Sequence, residues 1–378
     1  MIVRTALAAF LLSLPLIAVA DDHLPFETEV ITSFDEPWAL AFLPDGRMLV
    51  TEKKGLLLLV TQEGEKSIVG GTPDVDYGGQ GGLGDVALHP DFEENGLIYL
   101  SYAEAGVRNT RGAAVARGRL ELEGRRPSLG DLDVIWRQYP KVVGRGHYGH
   151  RLLFDTEGDL WVTSGERQKF TPAQDLQSNL GKVLRMNDDG TEPADNPGVI
   201  YIERDPLVDD IGVYGEFWSI GHRNPLGIDQ DGEGRLWVIE MGPRHGDELN
   251  LIKRGANYGY PEVSNGDHYN GKEIPDHDTR PEFDAPHAYW VPAISPGDLH
   301  IVRGELFEAW AGDALAAGLS SAAIVRIELD DDSAREVERY KMGARIRSIT
   351  EGPEGALWVL EDERGNSQGR LLKLTPKP

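Results

Sequence analysis

Between residues 144 and 151 the chain reads Gly144-Arg145-Gly146-His147-Tyr148-Gly149-His150-Arg151, placing an imidazole among small residues that let a ligand approach the backbone closely. Histidine is the side chain best matched to moving a proton near neutral pH, which makes His147 a candidate general base. On its own the signal is weak: in a chain with ten histidines, a loop histidine held by backbone hydrogen bonds is the default. Zinc is a poor reading of His147 and His150, because no third ligand lies nearby and the spacing is not that of a helical HExxH. Strand alternation turns residues three apart to opposite faces, so both rings are not expected to face one site.

Four other stretches complement that base. Gly165-Glu166-Arg167 offers a carboxylate able to orient an imidazole and stabilise its protonated form, or else an ordinary turn salt bridge. Gly221-His222-Arg223-Asn224-Pro225 sets a planar cationic fork beside an amide, which suits an anionic, oxygen-rich ligand; a loop cap is the competing account. Arg345 and Arg347 alternate on one face of a strand, with Asp362 beyond its far end, and paired arginines grip carboxylates bidentately where they are not simply edge charges. From Glu240 to Asn250 the chain offers Asp247, Glu248, Asn250 and the accessible carbonyls of a Gly242-Pro243 step. Such hard oxygens suit calcium, which accepts six to eight of them, although this is no EF-hand loop and a solvated acidic turn would look the same. The stretch Gly79-Gln80-Gly81-Gly82-Leu83-Gly84 satisfies GxGxxG literally. A proline at position 90 and no helical pattern after it exclude a nicotinamide fold, leaving Gln80 as a pocket-lining candidate.

The elements that must position these residues recur. Pro37–Lys53, Leu83–Ala103, His150–Arg167, Pro225–Met241, a degraded copy at Gly304–Leu329, and Ile346–Glu363 share one form: a short apolar strand, a Gly-containing turn, then a second strand usually carrying an aromatic residue. One hairpin cannot bury its own face, whereas stacked copies can. The fold expected is all-β, a six-bladed β-propeller forming one domain over residues 21–378, with chemistry at matching offsets near strand ends. The spacing, roughly 60 residues per copy against 40–50 for a compact blade, implies long loops.

Composition sets the outer bounds. The 378 residues include 45 Gly and 23 Pro, which disfavours long helices, and no Cys, which rules out disulfides and thiolate metal sites. Residues 1–20 read as a cleavable signal peptide ending Ala18-Val19-Ala20, so a periplasmic or secreted protein is expected, with no membrane span thereafter. A formal charge of −25 repels phosphate backbones and makes nucleic acid an unsuitable partner.

Taken together, Gly79–Glu93, the His147 stretch, Leu180–Pro197, Gly221–Ile228, Gly242–Tyr260 and Arg345–Ile349 resemble the soluble, calcium-containing aldose sugar dehydrogenases that use pyrroloquinoline quinone (PQQ), relatives of soluble quinoprotein glucose dehydrogenase. The resemblance spans nearly the whole chain after the signal. It implies PQQ and Ca2+ as cofactors, an aldose sugar as substrate, an unidentified electron acceptor, and a monomer or homodimer. It further implies His147 as base, Glu166 as its carboxylate partner and Arg223 beside the developing charge. Gln80, His147, Arg223, Asn224, Arg345, Arg347 and Asp362 would then contact the quinone. The Gly242 and Pro243 carbonyls would hold one calcium, and Glu248 with the Tyr258 carbonyl a second. Three positions depart from the pattern: Ser320 replaces a lysine, His150 stands where relatives commonly have glycine, and Gly146 stands where the glucose enzyme has an acid. A calcium-dependent lactonase or other hydrolase, and a non-catalytic carbohydrate-binding propeller, are the alternatives on the same scaffold.

Overall fold

The computed structural model describes residues 24–198, 215–331 and 333–378; the expected signal segment, residues 1–20, lies outside the described residues. Six four-stranded antiparallel sheets stand in a ring. Their innermost strands are Pro37–Phe42, Leu83–Leu88, Gly149–Phe154, Pro225–Gln230, Pro296–Ile301 and Ile346–Glu351, and each contacts the next around a closed circle. Numbered by these strands, blades 1 to 5 are continuous in sequence, whereas blade 6 takes its outermost strand from the other end of the chain: Phe26–Ser33 pairs with Arg370–Pro376 and closes the ring. No helix among the described residues is long and apolar enough to cross a membrane.

The repeated hairpins follow from their turns. Asp155 Oδ1 accepts the backbone N–H groups of Glu157 and Asp159 at 3.0 and 2.9 Å, and its Oδ2 accepts the indole N–H of Trp161 at 2.7 Å. Asp231 repeats the device with Glu233, Arg235 and Trp237. At Gly158 and Gly234 the turn takes φ of 91° and 80°, which a glycine adopts without strain. Burial does the rest: six apolar clusters occupy the six interfaces between blades, so each sheet covers both faces against its neighbours.

The fifth blade corrects the sequence expectation. Its inner strand is Pro296–Ile301 and its second is Ala314–Gly318, so the repeat begins before Gly304, and a twelve-residue connection carrying a short 3-10 turn at Glu308–Trp310 replaces the tight Gly turn.

Every inner strand slips register within its first few residues, between Pro37 and Ala39, Leu83 and Val86, Gly149 and Leu152, Pro225 and Gly227, Pro296 and Asp298, and Ile346 and Ser348. Such bulges bend a strand and re-aim its side chains. Aspartates in or close after three of these bulges bridge blades: Asp85 accepts the N–H of Leu152, Asp229 that of Ile301 and Asp298 that of Ile349.

Beneath the bulges, Arg151 occupies the axis. Its guanidinium lies 4.0 Å over the Trp38 ring of blade 1, 3.4 Å from Asp85 of blade 2, and donates at 2.8 Å to the Leu226 carbonyl of blade 4. It also donates to the Gly297 carbonyl of blade 5 and, at 3.4 Å, to the Arg347 carbonyl of blade 6. Burial pushes Asp85 up to about 6, with Arg151 opposing the shift, and raises Asp298 against the same opposition.

Arg151→Leu would leave two buried carboxylates uncompensated. The variant should lose about 3–5 kcal/mol of stability at neutral pH. An acid whose folded pKa exceeds its unfolded value of 3.8 weakens the fold as pH rises through that folded value. Without Arg151 these acids are lifted further, so the loss in Arg151→Leu should be smaller at about pH 5 than at about pH 7.5, which denaturant unfolding at the two values checks.

Candidate active site

Two cavities open on the rim where the inner strands begin, and neighbouring residues divide them: Tyr148 and Gly149 line the first and His147 the second, while Met241 lines the first and Pro243, two residues on, the second. The first, of about 220 Å³, is walled by Trp38, Gln80, Tyr148 and His150 and by four cations, Lys53, Arg345, Arg347 and Arg364, against one carboxylate, Asp362. The residue directly after the second strand of a blade reaches this cavity in four cases, as Lys53, Met241, Leu319 and Asp362. This is the matching offset that the repeats imply.

Asp362 Oδ2 accepts from Arg345 Nε and Nη2 at 3.1 and 3.0 Å and from Arg347 Nη2 at 3.2 Å. Burial would raise this acid, but Arg347 and Arg345 hold it below the usual carboxylate range. Arg347 is itself pulled below its ordinary value by burial. At the floor, His150 stacks on Trp38 with ring centroids 4.9 Å apart and planes at 14°, and its Nδ1 meets Ser101 Oγ at 2.8 Å. Burial, with Arg151, Arg167 and Arg347 nearby, lowers its pKa to about 3, so the ring is a neutral floor and not a second base. A Cβ at residue 84 would stand 2.0 Å from His150 Cε1; close packing is what the last glycine of the 79–84 stretch serves.

His147 borders the second cavity, of about 250 Å³. Its N–H donates to Gln80 Oε1 at 2.7 Å and its carbonyl accepts from Arg167 N at 3.1 Å, which holds the residue at a φ of 49°. Its Nδ1 is hydrogen-bonded to Glu166 Oε1. The other Glu166 oxygen accepts the N–H groups of Lys169 and Phe170 at 2.5 and 2.6 Å, which locks the carboxylate's orientation. Burial lowers the His147 pKa and Arg223 lowers it further, while Glu166 pulls it back up. For Glu166 burial acts upward, but the His147 hydrogen bond and charge and the Phe170 N–H leave it below its ordinary value. Arg223 faces this cavity with Nη1 on the Met241 carbonyl at 2.8 Å. Phe170, Tyr260, His268 and Tyr269 supply an aromatic wall, with Tyr269 74% exposed at the mouth.

The two histidines do face different cavities, but not through strand alternation. The backbone is left-handed at His147, Gly149 and His150, with φ of 49°, 66° and 60°, and the register slips directly afterwards.

The structure thus gathers His147, Glu166 and Arg223 at one cavity and Gln80, Arg345, Arg347 and Asp362 at the other. Asn224 lies fully buried, its Oδ1 accepting Gly149 N at 3.3 Å. Gly242 and Pro243 lie beside the sites, and among the described residues no donor is bonded to either carbonyl oxygen. Glu248 and Tyr258 do not join them. Glu248 is buried on the third strand of blade 4, with His277 Nε2 3.6 Å from its Oε1, and Tyr258 is buried between blades 3 and 4 with its ring on His222. Among the described residues there is no cluster of three or more His, Cys, Asp or Glu side chains that could hold a metal. Ser320 is exposed, with Oγ on the Ala293 carbonyl at 3.3 Å, and leaves the cavity wall to Leu319. Lys53, Arg364, Trp38 and the aromatic wall were not singled out from the sequence: Trp38 and Lys53 lie in the first repeat, with Lys53 at the strand-end offset of Asp362, while Arg364 and the aromatic wall lie outside the repeats' paired strands.

Residues 34–373 match the family described as Glucose / Sorbosone dehydrogenase. This chain belongs to that family. It is an oxidoreductase accordingly. It is 37% identical over 352 residues to an Escherichia coli (strain K12) protein named aldose sugar dehydrogenase YliI, with 91% of each chain covered. Its structure resembles that of the soluble aldose sugar dehydrogenase of Escherichia coli in the apo form, with 36% identity, a TM-score of 0.84, and 93% of this chain and all of the other covered. It also resembles a PQQ-bound aldose sugar dehydrogenase from Streptomyces coelicolor, with 27% identity, a TM-score of 0.75 and coverage of 93% and 98%. The ring of six four-stranded sheets, shared with these structures, bears out the six-bladed propeller expected from the repeats.

The His147–Glu166 couple has a testable sign. The imidazole, followed by NMR, should titrate below its ordinary 6.5, and Glu166→Gln should lower it further by removing the group that raises it. A value unmoved by the substitution would mean that the carboxylate does not set this histidine's basicity.

Proposed function

We propose that the protein oxidises aldose sugars at the anomeric carbon to lactones, with PQQ in the cationic cavity and calcium on the Gly242 and Pro243 carbonyls. One observation carries this reading: a base–carboxylate couple stands on the wall between a polycationic cavity and an aromatic-walled one. The naming of the Escherichia coli relative as an aldose sugar dehydrogenase, and the PQQ bound in the Streptomyces relative, support it.

The residues suit such a cofactor. Arg347 Nε, Arg223 Nε, Asn224 Nδ2 and Tyr148 Oη are buried and have no hydrogen-bond partner, so an anionic, oxygen-rich ligand would satisfy donors that the chain alone leaves open. The unbonded Gly242 and Pro243 carbonyls suit a hard divalent cation. Gln80, Asn224, Arg345, Arg347 and Asp362 would hold the quinone, which when bound supplies a two-electron acceptor for the hydride leaving the anomeric carbon.

The chain's own part is to orient and to move a proton. With its Nδ1–H donated to Glu166, His147 presents Nε2 as the acceptor for the proton of the anomeric hydroxyl. Burial and Arg223 keep the ring neutral before it acts, and Glu166 stabilises the imidazolium afterwards. Arg223, with Nε free, stabilises negative charge developing on the sugar oxygen. Phe170, Tyr260 and Tyr269 offer ring faces to a sugar whose edges meet the polar groups. In this reading, residues 1–20 direct the protein to the periplasm or the medium, where an unidentified acceptor reoxidises it.

Purified apoprotein loaded with calcium and PQQ should reduce a redox dye when given aldoses and yield a lactone trappable as its hydroxamate. His147→Ala should lower kcat/KM by about 10²–10⁴-fold. Absence of quinone binding, or turnover indifferent to His147, would reject the proposal.

A further inference from the structure

Lys53 has the features of a ligand-binding cation that neither its local sequence nor the arginine pairs disclose. It ends the inner hairpin of blade 1, in the place that Asp362 holds in blade 6, and is only 8% exposed although it lines the cavity. Lysines are almost never buried without a partner. Its ammonium carries three donors, of which one reaches the Gly79 carbonyl at 3.1 Å. The nearest carboxylate, Glu36, stands 3.6 Å away, beyond hydrogen-bond distance. Burial lowers the pKa of Lys53 against the upward pull of Glu36, and Arg364 and Arg347 add to the lowering.

The neighbouring walls sharpen the point. Arg345 and Arg347 already direct donors to Asp362. Blade 5 contributes Leu319, which carries no charge, and Ser320 is turned to the Ala293 carbonyl. Lys53, held by one hydrogen bond and one ion pair at 3.6 Å, therefore adds, to the unpartnered Arg347 Nε of blade 6, a cation from blade 1 with donors still open.

We propose that Lys53 anchors the quinone by pairing its ammonium with a ligand carboxylate, closing from blade 1 the grip that the blade 6 arginines begin. The inference rests on the PQQ reading above. It also gives the Gly79 contact a use, because the next residue, Gln80, accepts the His147 N–H; Lys53 thus ties the anion grip to the loop that holds the base.

The test is equilibrium binding of PQQ to the calcium-loaded full chain, followed by calorimetry at several salt concentrations. Lys53→Gln keeps a donor for Gly79 and removes the charge; Lys53→Arg keeps the charge. Lys53→Gln should bind PQQ about 10-fold or more weakly, with a shallower dependence on salt, and Lys53→Arg should stay within about 3-fold of the parent. Lys53→Gln binding as tightly as the parent, with the same salt dependence, would overturn the proposal. Equal losses in both variants would overturn it too, since they would mark a structural role. A parent protein that binds no PQQ would instead overturn the cofactor reading itself, and with it this inference.

Discussion

A single guanidinium under the rim decides how much of this ring can act as a site. Arg151 reaches residues of the five other blades, through two hydrogen-bonded or closely placed carboxylates, three carbonyls and the face of Trp38. A lysine could not do this, because only a planar fork with five donors can bond in several directions at once while its face lies on an indole. The consequence is a plugged axis. With Arg151 and the Trp38–His150 stack filling the centre, the space above becomes a closed-floored cavity, and the bulged starts of the inner strands set its walls.

Those walls concentrate positive charge in a protein whose formal charge is −25. The two facts are compatible because the cavity is buried, where attraction and repulsion are screened little, while the acidic surface is screened by salt. Burial and neighbouring arginines act on the imidazoles too: Arg151, Arg167 and Arg347 on His150, Arg223 and Arg167 on His147. His150, beside Arg151, loses its basicity and becomes packing material; His147 is depressed too, yet Glu166 restores part of what burial and Arg223 remove. The carboxylate is what distinguishes the two rings. Its own position depends on the Lys169 and Phe170 N–H groups, so the turn after blade 3's second strand tunes the base as well as walling the second cavity.

Much of this was legible in the chain because hairpins leave short-range marks. Asp turns, a glycine with positive φ and an aromatic residue on the second strand recur at steady offsets, and each has a local physical cause in the Asp155 and Asp231 networks. Where the local mark is missing, so is the correct boundary: blade 5 joins its first two strands by a long connection, which displaced the expected repeat onto Gly304–Leu329. Arg345, Arg347 and Asp362 could be read as a unit because strand alternation and a hairpin partner link them. Lys53 could not, since what brings it to them is closure of the ring, with Phe26–Ser33 completing blade 6 beside blade 1. The pairing of His147 with Glu166 was visible as chemistry, but its geometry depends on three left-handed residues that the alternation rule does not anticipate.

The open donors on the rim tie stability to ligand. A chain selected for folding alone would not keep Arg347 Nε, Arg223 Nε, Asn224 Nδ2 and Tyr148 Oη buried without partners, because each such group forfeits solvation and gains nothing. Nor would it gather four cations around one carboxylate. In the reading proposed above, a flat polyanion seated against the same groups would relieve both costs. A ligand that binds only the folded chain stabilises it by mass action, so on the proposed reading cofactor binding and resistance to unfolding should rise together. Arg151 makes the arrangement possible, because its own contacts hold the inner strands against the repulsion that the cavity would otherwise impose on them.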